Sequence, residues 1–175
     1  MVLRRLELAD LRRFQAYRHD RVVGRFQGWE PQPHAEATRF LEEMSQADLF
    51  PPGTWFQLGI ASGSTNELVG DVGICIRADD RRAEIGFTVA REAQGRGVGT
   101  EAVRGLIDFI FEHTTVTAVV AVTDQRNIPA GRSLARVGMR TRETLRTIFR
   151  GEPCVEHMWT ISRAAARDHG ARTDR

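Results

Sequence analysis

Gln94-Gly95-Arg96-Gly97-Val98-Gly99-Thr100 decides the reading of this chain, because it joins a strand-like segment, Ala83-Glu84-Ile85-Gly86-Phe87-Thr88-Val89, to the most regular helical pattern in the sequence. From Gly97 onward Val98, Ala102, Leu106 and Ile110 recur in steps of four, with Val103 and Ile107 beside them and Arg104, Asp108 and Glu112 opposite. That is the spacing of an amphipathic helix. Glycine lets backbone N–H groups approach an anion without interference from a Cβ, and the first helical turn adds unpaired donors and the positive end of the dipole. The same glycines also suit a plain turn, so the surrounding elements must decide.

Upstream, residues 2–8 read as a strand, and Asp10 offers a cap for a helix carrying Leu11, Phe14 and Tyr17. Pro31 and Pro33 punctuate a loop before a second helix with the stripe Ala37, Phe40, Leu41 and Met44. Residues 55–61, 68–76 and 83–89 alternate as three strands of an antiparallel meander, the last two joined through Arg77-Ala78-Asp79-Asp80-Arg81-Arg82. Downstream, residues 117–123 form a continuous apolar run suited to a strand buried on both faces, parallel to 83–89 and reached by the helical crossover. Asn127 then caps a short helix closed by Gly138, residues 142–150 and 153–162 form a closing hairpin around Gly151-Glu152, and residues 164–175 read as a flexible, Arg-rich tail.

The chain has 175 residues and suits one domain with a mixed α/β core. All 25 basic residues are arginine, which excludes Schiff-base and P-loop lysine chemistry. The net charge of +2 is carried by the last thirteen residues, leaving a neutral body unlike a nucleic-acid binder. No stretch approaches the roughly 18 apolar residues of a membrane span, and the N-terminus lacks the apolar centre of a signal peptide, so the expected setting is cytoplasmic and free of membrane. Cys75 and Cys154 have no CxxC or histidine-rich partner, which suits free thiols and no metal site. Gly97-x-Gly99-x-x-Ala102 formally satisfies a dinucleotide fingerprint, but residues 90–93 separate it from its strand and antiparallel strands precede it, which opposes a doubly wound oxidoreductase fold.

Gln94, Gly97 and Gly99 match the Q/R-x-x-G-x-G/A signature, and with the order of elements over residues 2–162 the chain resembles the GNAT superfamily of acetyl-CoA-dependent N-acetyltransferases. Gly99-Thr100-Glu101-Ala102-Val103, Thr123-Asp124-Gln125-Arg126-Asn127, Gly138-Met139 and Trp29-Glu30-Pro31 are similar to the RimJ/RimL-like branch, which acetylates N-termini of ribosomal proteins. The resemblance implies a GNAT-type fold over residues 1–163, a mostly antiparallel sheet with one parallel pair that splays at its C-terminal ends, and flanking helices. It implies acetyl-CoA as cosubstrate and direct transfer to a primary amine, a protein N-terminus or a small molecule. The backbone of Gly95, Arg96, Gly97, Val98, Gly99 and Thr100 would hold the pyrophosphate, and Phe87, Thr88 and Val89 would run beside the pantetheine. Gln94 and Asn127 complete the implied cofactor contacts, and a homodimer is an open expectation.

The attacking amine must lose a proton before it reacts with a thioester. Glu84 matches the strand glutamate of the histone-acetylating branch, where it acts through water; the competing reading is a charge pair with Arg81 or Arg82. Two usual acid positions are empty of donors, with Leu134 seven residues and Ala130 three residues after Asn127. Ser133 lies near the same helical face as Ala130 and is the substitute donor, against a plain bond to a helix carbonyl. Trp29, His34, Trp55, Asp71 and His157 fall where an acceptor could bind, while Tyr17 reads as core. The missing acids also leave open a non-catalytic CoA-binding module.

Overall fold

A computed structural model gives the three-dimensional structure, which describes residues 1–77 and 81–173. The turn residues Ala78, Asp79 and Asp80 and the terminal Asp174 and Arg175 lie outside the described residues. The strands are β1 (Val2–Arg5), β2 (Phe56–Ala61), β3 (Leu68–Ile76), β4 (Arg82–Val89), β5 (Ala118–Asp124), β6 (Arg140–Phe149) and β7 (Glu152–Ser162). The helices are α1 (Leu11–Arg18), α2 (His34–Gln46), α3 (Val98–His113), α4 (Ile128–Arg136) and α5 (Arg163–Thr173).

Seven strands form one sheet in the order β1-β2-β3-β4-β5-β7-β6. Every neighbouring pair is antiparallel except β4 and β5, which are parallel and joined by α3. Their pairing covers only Arg82↔Ala118, Ala83↔Val119 and Glu84↔Val120, although β4 runs on to Val89 and β5 to Asp124. Beyond Glu84 the two strands part and leave a gap in the middle of the sheet, as the family resemblance implies.

Two apolar layers sandwich the sheet. Ala102, Val103, Leu106, Ile107, Ile110 and Phe111 of α3 bury their stripe against Val72, Ile74, Ala83, Ile85, Val119 and Ala121, which share one face. Phe14 and Tyr17 of α1 and Ala37 and Leu41 of α2 cluster with Leu6 and Leu68 on the opposite side. Helix α3 stops at Thr114, whose side chain donates back to the Ile110 carbonyl at 2.7 Å.

Four expectations need correction. The first strand ends at Arg5, because residues 8–10 turn in a 3-10 helix, and Asp10, though it holds the N-cap position of α1, makes no side-chain capping bond there. Its carboxylate instead takes both terminal nitrogens of Arg4 at 2.7 Å and the Glu7 amide at 2.9 Å. Strand β5 is buried on one face only: Val119 and Ala121 lie under α3, whereas Val122, on the opposite face, is 40% exposed. The segment expected as a tail forms α5, with Ala166 packed on the core and the His169 ring bonded to the Arg136 carbonyl at 3.0 Å.

Candidate active site

The glycine loop lies where β4 ends and α3 begins. Gly95 and Gly97 adopt φ of 74° and 82°, left-handed values that side chains resist, and Gly97 is the N-cap of α3. A Cβ built on either would meet nothing within 4 Å, so open space faces both residues. The Gln94 amide bonds the Arg91 carbonyl at 3.3 Å and the Glu101 amide bonds the Gly97 carbonyl at 3.0 Å; between them, the N–H groups of residues 95–100 make no close hydrogen bond among the described residues. Six unpartnered amides at a helix N-terminus form an anion cradle of the kind that takes a phosphate group. The third glycine serves packing: a Cβ on Gly99 would sit 3.3 Å from the Phe87 ring and 3.5 Å from Val89.

The edge of β4 that faces the gap has been finished by glutamines. Gln94 Nε2 donates to the Val89 carbonyl at 2.9 Å, and Gln27 Nε2 donates to the Phe87 carbonyl at 3.2 Å. Because N–H and C=O of one residue point the same way in an antiparallel ladder, the amides of Phe87 and Val89 also face the gap. Gln94 thus acts as a brace between strand and loop, and Gln27 is a contributor the sequence did not reveal.

Across the gap, Asn127 caps α4 by accepting from the Ala130 amide at 3.4 Å, and its side-chain nitrogen makes no bond among the described residues. Ser133 departs from the helix-carbonyl reading, since its hydroxyl has no hydrogen-bond partner among the described residues. It lies 3.6 Å from the Cβ position of Gly99, beside Phe87, at the first turn of α3. The structure therefore brings Ser133, Phe87, Val89 and the glycine loop together.

On the other face of β4 run Glu84, Gly86 and Thr88. Glu84 sits at the point where pairing with β5 stops; its carboxylate is 30% exposed and 3.7 Å from Arg77 rather than paired to Arg81. Cys75 is its neighbour on β3, and burial followed by the Glu84 charge raises the thiol pKa. Trp55 lies flat on Gly73, whose Cβ position is 3.1 Å from the indole, and the adjacent Gly86 faces open space. Glu84, Trp55 and Gly86 hence border one open patch.

Thr88 ends this face in a buried network. Trp29 Nε1 donates to Thr88 Oγ1 at 3.3 Å, and the Arg18 guanidinium lies 4.4 Å from the indole centre. Arg18 pairs with Asp71 at 3.0 Å and bonds Gln57 at 3.0 Å. The Tyr17 hydroxyl donates to Asp71 at 2.5 Å, and burial together with the Asp71 charge pushes the phenol pKa well above its ordinary range. Asp71 is therefore occupied by Arg18 and Tyr17, and it is a buried anchor for the loop that carries Trp29. His34 stands apart at the start of α2, bonded to Gln15 at 3.0 Å, and His157 contacts Thr144 at 3.1 Å beside Trp159. Among the described residues no group of histidine, cysteine, aspartate and glutamate could hold a metal.

A sheet opened at one parallel pair, with an anion cradle at the mouth of the opening, defines an acyl-CoA transferase class of fold. The GNAT acetyltransferase domain matches residues 1–140, and the chain belongs to that family. An uncharacterized N-acetyltransferase, p20, of Bacillus licheniformis is 28% identical over 147 residues, covering 83% of this chain and 82% of that protein. In structure the chain is similar to spermidine N-acetyltransferase from Vibrio cholerae, solved in complex with CoA and spermine, with a TM-score of 0.81 at 18% identity, covering 95% of this chain and 97% of that one. A GNAT acetyltransferase from Bacillus anthracis gives a TM-score of 0.80 at 18% identity over 91% of this chain and 93% of its own.

Proposed function

We propose that the protein transfers the acetyl group of acetyl-CoA directly to a primary amine. The observation that carries this reading is the cradle of six unpartnered amides, residues 95–100, opening onto the gap between β4 and β5. Acetyl-CoA fits there because its pyrophosphate matches the donors and because the open space at Gly95 and Gly97 leaves room for it. Arg96 adds charge at the same loop, Asn127 offers its free side-chain nitrogen, and the amides of Phe87 and Val89 supply donors along the gap. The cosubstrate contributes an acetyl group already activated as a thioester.

The acceptor ammonium meets the opposite face. Glu84, on the open patch beside Gly86, takes its proton, directly or through one water, and Trp55 and Trp29 offer indole faces to its cationic form. The amides of Phe87 and Val89 are aimed at the gap, where the acetyl oxygen gains charge during transfer. Ser133 Oγ, free of any internal bond, holds a proton within reach of the donor side of the gap. Both thiols are buried and unpaired, which suits a reducing cytoplasm. The motifs shared with the RimJ/RimL-like branch favour a protein N-terminus, and the open patch equally admits a small amine.

The test is release of free CoA from acetyl-CoA in the presence of a panel of amines, peptides with free N-termini included. Accelerated release with acetylated product supports transfer. Tight binding of acetyl-CoA with no acceleration by any amine would instead make the chain a CoA-binding module.

A further inference from the structure

The turn from β6 to β7 places Arg150 at φ 52° and Gly151 at φ 80°. Two consecutive left-handed residues suit a tight hairpin, but the first is ordinarily asparagine, aspartate or glycine, because other side chains cost on the order of 1–2 kcal/mol there. This chain places an arginine at that position, and the side chain has a specific engagement. Its Nη2 donates to the carbonyls of Gln27 at 3.2 Å and Trp29 at 2.9 Å and pairs with Glu30 at 2.9 Å. Charge-assisted bonds of this kind exceed a bare surface ion pair.

The loop that Arg150 grips is fixed at its inner side to β4, through Gln27 on Phe87 and Trp29 on Thr88. The hairpin tip is continuous with β7, whose residues 156–162 pair with the whole of β5. β4, the 27–30 loop, Arg150, β7 and β5 thus form a closed ring around the gap, on the face where Thr88 and Glu84 lie. Arg126 adds a second tie near the end of β5, 5.9 Å from the Phe26 ring and 4.0 Å from Glu152. Arg150 has no bond to Glu84 or to the glycine loop, so its influence on the reaction passes through the shape of the opening.

We propose that Arg150 is a specificity-determining clasp: by tying the hairpin tip to the 27–30 loop it limits the width of the acceptor opening, so that a bulky cyclic amine is disfavoured against a slender straight-chain one. The inference rests on the acetyl-transfer reading above. Arg150→Asn removes the guanidinium while suiting the left-handed backbone, so the hairpin is retained. The experiment compares kcat/KM for n-hexylamine and cyclohexylamine, by CoA release, in the native protein and in Arg150→Asn, alongside amide hydrogen exchange of residues 27–30. The clasp predicts that the cyclohexylamine to n-hexylamine ratio rises about tenfold or more, the scale on which a pocket discriminates by size, and that residues 27–30 exchange faster. An unchanged ratio, or unchanged exchange, overturns it. If the native protein releases CoA with no amine of any shape, the transfer reading fails and the specificity role falls with it, whereas turnover with an unchanged ratio defeats the clasp alone.

Discussion

On one side of the β4–β5 gap the proposed recognition groups are backbone amides, and on the other they are side chains held by a buried network. Residues 95–100 present N–H groups whose direction is set by two left-handed glycines and a helix start, and no side chain is required. Trp29, by contrast, is held by Thr88 and Arg18, and Arg18 by Asp71, Gln57 and the stack on Trp29 itself. A backbone site tolerates sequence change around it provided the glycines remain, while a networked site fails as a unit. Donor binding and acceptor binding should therefore respond to mutation independently.

The largest expected effect falls on the acceptor side. Glu84→Gln is expected to lower kcat by about 10²–10⁴-fold, the usual worth of a positioned base, with acetyl-CoA affinity nearly intact. Steady-state kinetics across neutral to alkaline pH checks this, and a full rate throughout would leave Glu84 with only its contact to Arg77.

Asp71→Ala should next cost about 3–5 kcal/mol of stability, because it strands the buried Arg18 charge. Denaturant titration measures the loss, and Asp71→Asn, which keeps an acceptor for Tyr17, should recover part of it. An Asp71→Ala protein as stable as the native one would mean that Trp29 is held without the ion pair.

Gly97→Val acts on the donor side alone. The left-handed backbone costs a β-branched residue about 1–3 kcal/mol, and the new side chain enters the cradle, so acetyl-CoA affinity should fall at least about tenfold. Calorimetry on the folded variant would contradict the cradle if affinity were unchanged.

The smallest effect is a pH dependence at the end of β5. Hydrogen bonds from Arg126 hold the Asp124 carboxyl below its ordinary pKa. A carboxyl depressed on folding stabilises fully above its unfolded value of about 3.9 and loses that contribution as pH falls through its folded value. Arg126→Gln should thus lower stability at neutral pH only slightly, since Arg126 is half exposed and its pairing is screened by solvent. The difference should vanish in strong acid, as urea unfolding at the two pH values would reveal.

The glycine loop was legible in the sequence because its chemistry is local: Gly97, Gly99 and the four-residue steps of α3 are adjacent in the chain. The parallel pair followed from the crossover helix. The acceptor side was not legible to the same degree. Nothing near Gln27 signals that it will bond Phe87 sixty residues on, and Asp71 between glycines read as an acceptor contact until Arg18 and Tyr17 met it in the fold. Ser133 read either as a substitute donor or as a residue bonded to its own helix, and only the fold shows its hydroxyl without a bond among the described residues, where α4 meets the start of α3. Local composition also misjudged β5, whose apolar run does not disclose that its Val122 face stays exposed.

The most direct test of the account is an amide NMR titration of the protein with CoA. Binding through the backbone cradle predicts that the largest shifts fall on the amides of residues 95–100, Phe87 and Val89, with the β2–β3 turn at residues 63–67 unmoved. Saturable binding that leaves residues 95–100 unperturbed would contradict it.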